Sequence, residues 1–247
     1  MRNITDYEQQ YMEHSFERYQ EGYRKRLTKS VIRKYAKEGS SVVEIGCGPY
    51  PLFTDYEGEY LFTVIEPAKT WYENACTLAK EYGNVSCYQG FLGDFVRNIR
   101  GETFDIVICS SLLHEVENPR QLLRDIRLLC NHGTIVHVNV PNAFSLHRLM
   151  AKEMGLIRDV HQMSGYNLEL QQHTVFDMDM LKELVGQEGY RVIDSGSCFL
   201  KPFTHKQMQQ CMDAQILNED ILEALDGLCV SHFKEYGSEI YVNLQLK

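Results

Sequence analysis

Apolar residues recur along this chain with two alternating periods. Short β-branched or apolar runs read as buried strands: Val42 to Ile45, Leu61 to Ile65, Val85 to Gln89, Phe104 to Cys109, Thr134 to Val140, Tyr190 to Ser195 and Glu239 to Leu246. Between them lie stretches with helical spacing. Asp6 to Lys37 carries Tyr7, Tyr11, Phe16 and Tyr19, then Tyr23, Leu27, Val31 and Tyr35, which suits two helices closed by Gly39. Thr70-Trp71-Tyr72-Glu73 has the form of a capping box. Asn118-Pro119 opens a helix with Leu122, Leu123, Ile126 and Leu129 on one face, and Phe176 to Glu188 is amphipathic and closed by Gly189. Two further helices, started by Thr204 and Asn218, fall between Phe199 and Tyr236. Strands interleaved with helices predict an α/β protein, a seven-stranded sheet with helices on both faces. Residues 1–40 form an N-terminal helical cover, and 41–247 form the main domain with helical insertions near 142–173 and 199–236.

The most informative stretch is Ser41 to Phe53, SVVEIGCGPYPLF, in which a buried strand runs into Gly46-Cys47-Gly48. Glycines there let a ligand approach the backbone closely. The next strand stops on Glu66, 18 residues after Gly48. Glycines beneath a nucleoside and a carboxylate for its ribose hydroxyls would use that spacing. A dinucleotide fingerprint wants a third glycine where Pro51 stands, and proline adds bulk and brings no amide hydrogen. Glu44, two before the first glycine, fits another pattern, and here the chain resembles the class I S-adenosylmethionine-dependent methyltransferases.

The resemblance implies a Rossmann-like methyltransferase sheet and S-adenosylmethionine as cofactor. It places Gly46, Cys47 and Gly48 under the methionine part, Glu44 facing the ammonium through water, and Glu66 with Pro67 at the ribose diol. Gly90-Phe91-Leu92 would lie against the adenine, with Phe91 where many relatives have aspartate and Asp94 as a second choice. Tyr50 stands where many members carry a further glycine. Ser110 to Val116 looks like the fourth motif, with Ser110 against the methionine and later residues bordering the methyl group. The helices of the cover would lie over the cofactor, their aromatic stripe serving packing more than substrate contact. A weaker likeness points to bacterial enzymes acting on surface sugars or related small metabolites.

Methyl transfer to oxygen or nitrogen is an in-line displacement that needs alignment and, for a hydroxyl, a base. Histidine titrates in the right range. His147 and His114 are the candidate bases. Asn142, Arg148 and His173 are candidate substrate-orienting groups in or beside the first insertion, and His137 reads as a sheet residue. No metal is expected: His114-Glu115 opens a zinc-like motif, but the position four after His114 is Asn118.

Composition narrows the remaining choices. With 247 residues, 44% hydrophobic and 24% charged, the chain suits one large soluble domain. A net charge of −9 opposes a polyanionic partner, so nucleic acid is not expected as substrate. Arg24, Lys25 and Arg26 read as a solvated helix face. Eight cysteines without a C-x-x-C pair read as thiols in a reducing cytoplasm. Neither a signal peptide nor a membrane-length apolar run is present, so no membrane partner is expected. The helices between Phe199 and Tyr236 would form a second lid or the surface of a homodimer. The expected activity is therefore S-adenosylmethionine-dependent methylation of a small-molecule hydroxyl or amine. The alternatives are a non-catalytic binder of the same cofactor or its demethylated product, prompted by Tyr50 and Phe91, and a nicotinamide oxidoreductase, which Pro51 disfavours.

Overall fold

The structure, a computed structural model, describes residues 3–13, 16–56, 58–99 and 101–247. Seven strands form one sheet: β1 (Ser41–Ile45), β2 (Leu61–Glu66), β3 (Val85–Gln89), β4 (Ile106–Ser110), β5 (Ile135–Pro141), β6 (Tyr190–Cys198) and β7 (Glu239–Leu246). Their order is β3-β2-β1-β4-β5-β7-β6, and β7 runs antiparallel to both neighbours. The order reverses between β1 and β4, so a crevice opens at their carboxyl ends, where open α/β sheets bind ligands.

Both faces of the sheet are buried, which explains why the central strands are apolar without alternation. Val43, Ile45, Val107 and Cys109 point into one core with Leu123, Ile126, Leu181 and Val185. These last four come from α5 (Pro119–Arg127) and α8 (Met178–Gln187). Val42, Ile106 and Ile108 point the other way, against Val31 and Ile32 of α2 (Glu17–Tyr35) and Ala75 of α3 (Lys69–Ala79). Burial of such side chains contributes ~1.5–3 kcal/mol each before entropy is counted.

The cover is α1 (Ile4–Glu13) followed by α2. α4 (Leu92–Asn98) is a short helix that the sequence pattern does not announce. The first insertion contains α6 (Leu146–Glu153) and α7 (Gly165–Glu169), and the second contains α9 (His205–Asp213) and α10 (Glu219–Ser231). The second insertion supports the cover: Phe16 and Tyr23 pack with Phe199, Met208 and Leu222.

Several local expectations need correction. Thr70 lies inside α3, whose cap position is Ala68, so the predicted capping box does not form. Pro141 is the last residue of β5 and pairs opposite Glu239, tolerated at a strand end where its missing donor costs little. Arg24, Lys25 and Arg26 are not a uniform solvated face. Arg24 is buried, with Nη2 2.8 Å from Glu17 and 2.7 Å from Glu239, while exposed Arg26 pairs with Glu223. Gln20 donates to Glu239 at 3.0 Å and accepts from the buried Lys201 ammonium at 2.9 Å. This network ties the cover to β7 and to the chain after β6.

Candidate functional site

At the carboxyl ends of β1, β2 and β4 lies a cavity of about 510 Å³, within the usual range for a small-molecule site. Its floor is the bend after β1. Gly46 and Gly48 both take positive φ, +76° and +59°, which a side chain would strain. A Cβ on Gly48 would meet no atom within 4 Å, so the backbone there faces open space.

Glu66 closes this floor from the side. Its residue is only 2% exposed, yet it borders the cavity. One carboxylate oxygen accepts from the Ala68 amide at 2.8 Å and the other from the Gly48 amide at 3.1 Å. Burial raises its pKa, and those two amides work against the rise. Glu44 is also buried and accepts from the Leu52 amide at 2.9 Å. Burial pushes its carboxyl up to about 8, because a single amide and the more distant Lys25 compensate little of the lost hydration. Cys47 is pushed upward by burial and then by Glu44 and Glu66, so it lines the floor as an inert thiol.

Glu44, Gly46, Cys47, Gly48, Glu66 and Pro67 all border this cavity. So do Gly90, Phe91, Leu92 and Ser110, from turns that lie far apart in sequence. Tyr50 does not plug the bend: it is 53% exposed and its ring lies under the Lys25 ammonium, 4.9 Å from the centroid.

The methyltransferase-domain family matches residues 12–195. This chain belongs to the class I S-adenosylmethionine-dependent methyltransferases. Similar solved structures have the same fold at low identity. The NodS N-methyltransferase of Bradyrhizobium japonicum, in complex with S-adenosylhomocysteine, is 12% identical with a TM-score of 0.55, over 96% of this chain and 90% of NodS. The 1,6-didemethyltoxoflavin-N1-methyltransferase of Burkholderia thailandensis is 11% identical with a TM-score of 0.57, over 91% of this chain and 78% of that one. The [4+2]-cyclase SpnF is 15% identical with a TM-score of 0.57, over 90% of this chain and 80% of SpnF. No curated protein matches the sequence.

The cofactor of this methyltransferase is S-adenosylmethionine. The residues present fit it: an open glycine floor, a buried carboxylate on the cavity wall, and Phe91 and Leu92 for an apolar ring. The bend also argues against a dinucleotide. After Pro51 the chain makes one 3-10 turn, Leu52–Asp55, rather than a helix whose amides could face a pyrophosphate.

The catalytic and substrate candidates divide differently. Of the five, only His173 borders the cavity. His147 does not. Its ring is buried near Lys201, His205 and Arg148, and burial followed by those charges holds it neutral, well below the usual histidine range. His114 is buried behind the wall, with Nε2 3.8 Å from a Glu115 carboxylate oxygen. Asn142 donates to the Glu235 and Gly237 carbonyls, both at 2.9 Å, which fixes the start of the first insertion. Arg148 donates to the Val160 carbonyl at 2.8 Å and to that of Gln162, stapling α6 to the following loop. Asn142 and Arg148 thus tie the insertion together through nearby backbone carbonyls instead of facing the cavity, and neither His114 nor His147 borders it.

Further residues border the cavity besides those assigned to the cofactor. Ser111 holds φ of +53° just past β4, a backbone state that costs about 1–3 kcal/mol for a non-glycine residue. From the cover come Tyr7, Tyr11, Glu21 and Lys25, so part of its aromatic stripe faces the site as well as packing. Tyr7 donates to Glu115 at 3.2 Å and Tyr11 to Glu21 at 3.2 Å. Only proximity in space reveals these pairs.

Proposed function

We propose that this protein transfers the methyl group of S-adenosylmethionine directly to a hydroxyl or amine of a small molecule. The observation that carries the proposal is convergence: ten residues from four separate turns, Glu44 through Ser110, border one cavity with Glu66 on its wall. When bound, the cofactor supplies an electrophilic methyl on a sulfonium. The glycine bend receives its methionine part, Glu66 accepts from the ribose hydroxyls, and Phe91 and Leu92 cover the adenine. Glu44 offers charge to the ammonium. Tyr7, Tyr11 and α1 exclude water above the reacting centre, and alignment then supplies most of the catalysis. A reducing cytoplasmic setting is supported by eight cysteines that are all free thiols. Among the described residues, no helix is long and apolar enough to cross a membrane.

The test is turnover of S-adenosylmethionine to S-adenosylhomocysteine with small hydroxyl and amine acceptors. Product that depends on acceptor supports the reading, and absence of any binding of either cofactor form removes it. The likeness to a [4+2]-cyclase favours one other reading, a cofactor-bound protein of this fold that transfers no methyl. Tight cofactor binding without turnover on any acceptor would select that alternative.

A further inference from the structure

Part of the cavity wall lies outside the residues assigned to the cofactor. It carries Glu21 and Glu115, while Asp125 lies against Gly93 beside the adenine turn. Among the described residues, the permanent cations on the same wall are Arg24 and Lys25. Both are engaged: Arg24 by Glu17 and Glu239, Lys25 by the Tyr50 carbonyl and, at 3.6 Å, by Glu21. Glu21 is in turn offset by Lys25, and Glu115 is the wall carboxylate set beside aromatic rings.

Geometry sharpens this. Glu115 is 6% exposed and lies just after Ser110, Ser111 and Leu112, which border the same space from the end of β4. The Tyr7 hydroxyl meets its carboxylate from the cover. Beside it Tyr7, Tyr11 and Trp71 form a continuous aromatic wall, with ring centroids 5.6 to 5.9 Å apart. Aromatic faces and buried carboxylates together are a chemistry that recognises ammonium groups. A carboxylate or phosphate acceptor would meet repulsion here.

Building on the methyltransferase reading above, we propose that the acceptor is a small amine, bound as its ammonium, and that Glu115 is the catalytic residue that receives it. The ammonium gives one proton to the Glu115 carboxylate, which becomes a carboxylic acid. The freed nitrogen lone pair forms the new N–C bond while the C–S bond breaks, and that electron pair stays on sulfur. The product leaves as a methylammonium, and Glu115 returns its proton to water. Tyr7 positions the carboxylate.

The test is calorimetry on the S-adenosylhomocysteine complex with benzylamine, 2-phenylethylamine and butylamine, each beside its isosteric alcohol and carboxylate. At least one amine should bind about tenfold tighter than its isosteres, the size of a charge-assisted contact. Glu115→Gln should erase that preference while leaving affinity for S-adenosylhomocysteine, whose sulfur is neutral, unchanged. Tyr7→Phe should weaken amine binding about two- to fivefold. Alcohols or carboxylates binding as well as amines, no amine binding at all, or an unchanged preference in Glu115→Gln would overturn the inference. Each of those outcomes, with S-adenosylhomocysteine still bound, leaves the methyltransferase reading standing. Failure to bind S-adenosylhomocysteine overturns that reading instead.

Discussion

Two parts of the cavity wall are built in opposite ways. The floor is made of backbone: glycines in left-handed conformation, and carboxylates of Glu44 and Glu66 held by the amides of Leu52, Gly48 and Ala68. The wall toward the cover is made of side chains that meet across long sequence separations, such as Tyr7 with Glu115, 108 residues apart, and behind it Arg24 fastens the cover to Glu239, 215 apart. A backbone site is fixed and suits one invariant ligand. A side-chain wall on a cover can change its chemistry by single substitutions, which is what an acceptor site requires.

The largest test of that contrast lies in the network that fastens the cover. Arg24→Leu leaves Glu17 and Glu239 buried without their cation and should cost about 3–5 kcal/mol, read as a fall in thermal midpoint. A loss under about 1 kcal/mol would mean that the cover is not anchored there. Gly48→Val attacks the floor directly. A β-branched residue at φ of +59° should cost about 1–2 kcal/mol of stability and also obstruct the cradle, measured by denaturant unfolding and cofactor titration.

Legibility in the sequence divides along the same line. The floor is readable because its parts are neighbours in sequence or end adjacent strands, so β-branched runs, glycines and Glu66 carry the pattern locally. The sheet is readable for a similar reason, since Val42 and Val43, or Ile106 and Val107, are apolar on both faces. The wall toward the cover is not. His147 and Arg148 have the right residue types beyond a strand end, but burial near Lys201 and bonding to backbone carbonyls place them in the insertion. The segment holding Glu115 and the stripe holding Tyr7 and Tyr11 are legible, but the pairing of Tyr7 with Glu115 is not, because it depends on how the cover folds back over the sheet.

The next effect is a pH dependence. Burial raises the Glu44 carboxyl from its ordinary 4.5 to about 8 in the free protein. Its contribution to stability is therefore full below about pH 4.5 and is lost as pH rises through about 8. The ionised form is the one that pairs with the cofactor's ammonium, so binding near pH 7 should release up to about one proton. Affinity should climb toward pH 8 and then level off. Calorimetry in buffers of different ionisation enthalpy measures that release, and Glu44→Gln should abolish it. The smallest effect belongs to Tyr50. Its ring is outside the bend, so Tyr50→Ala should change stability and cofactor affinity by no more than about 0.5–1 kcal/mol, the worth of its contact with Lys25. A larger gain in affinity would show that the ring obstructs the floor after all.

The most direct test of a fixed floor facing an adaptable wall is titration of S-adenosylhomocysteine into Glu66→Ala and Glu115→Gln side by side. The account predicts a loss of about 1.5–3 kcal/mol of binding free energy in the first, from charge-assisted contacts to the ribose, and none in the second. Equal losses in both, or full affinity in Glu66→Ala, would contradict it.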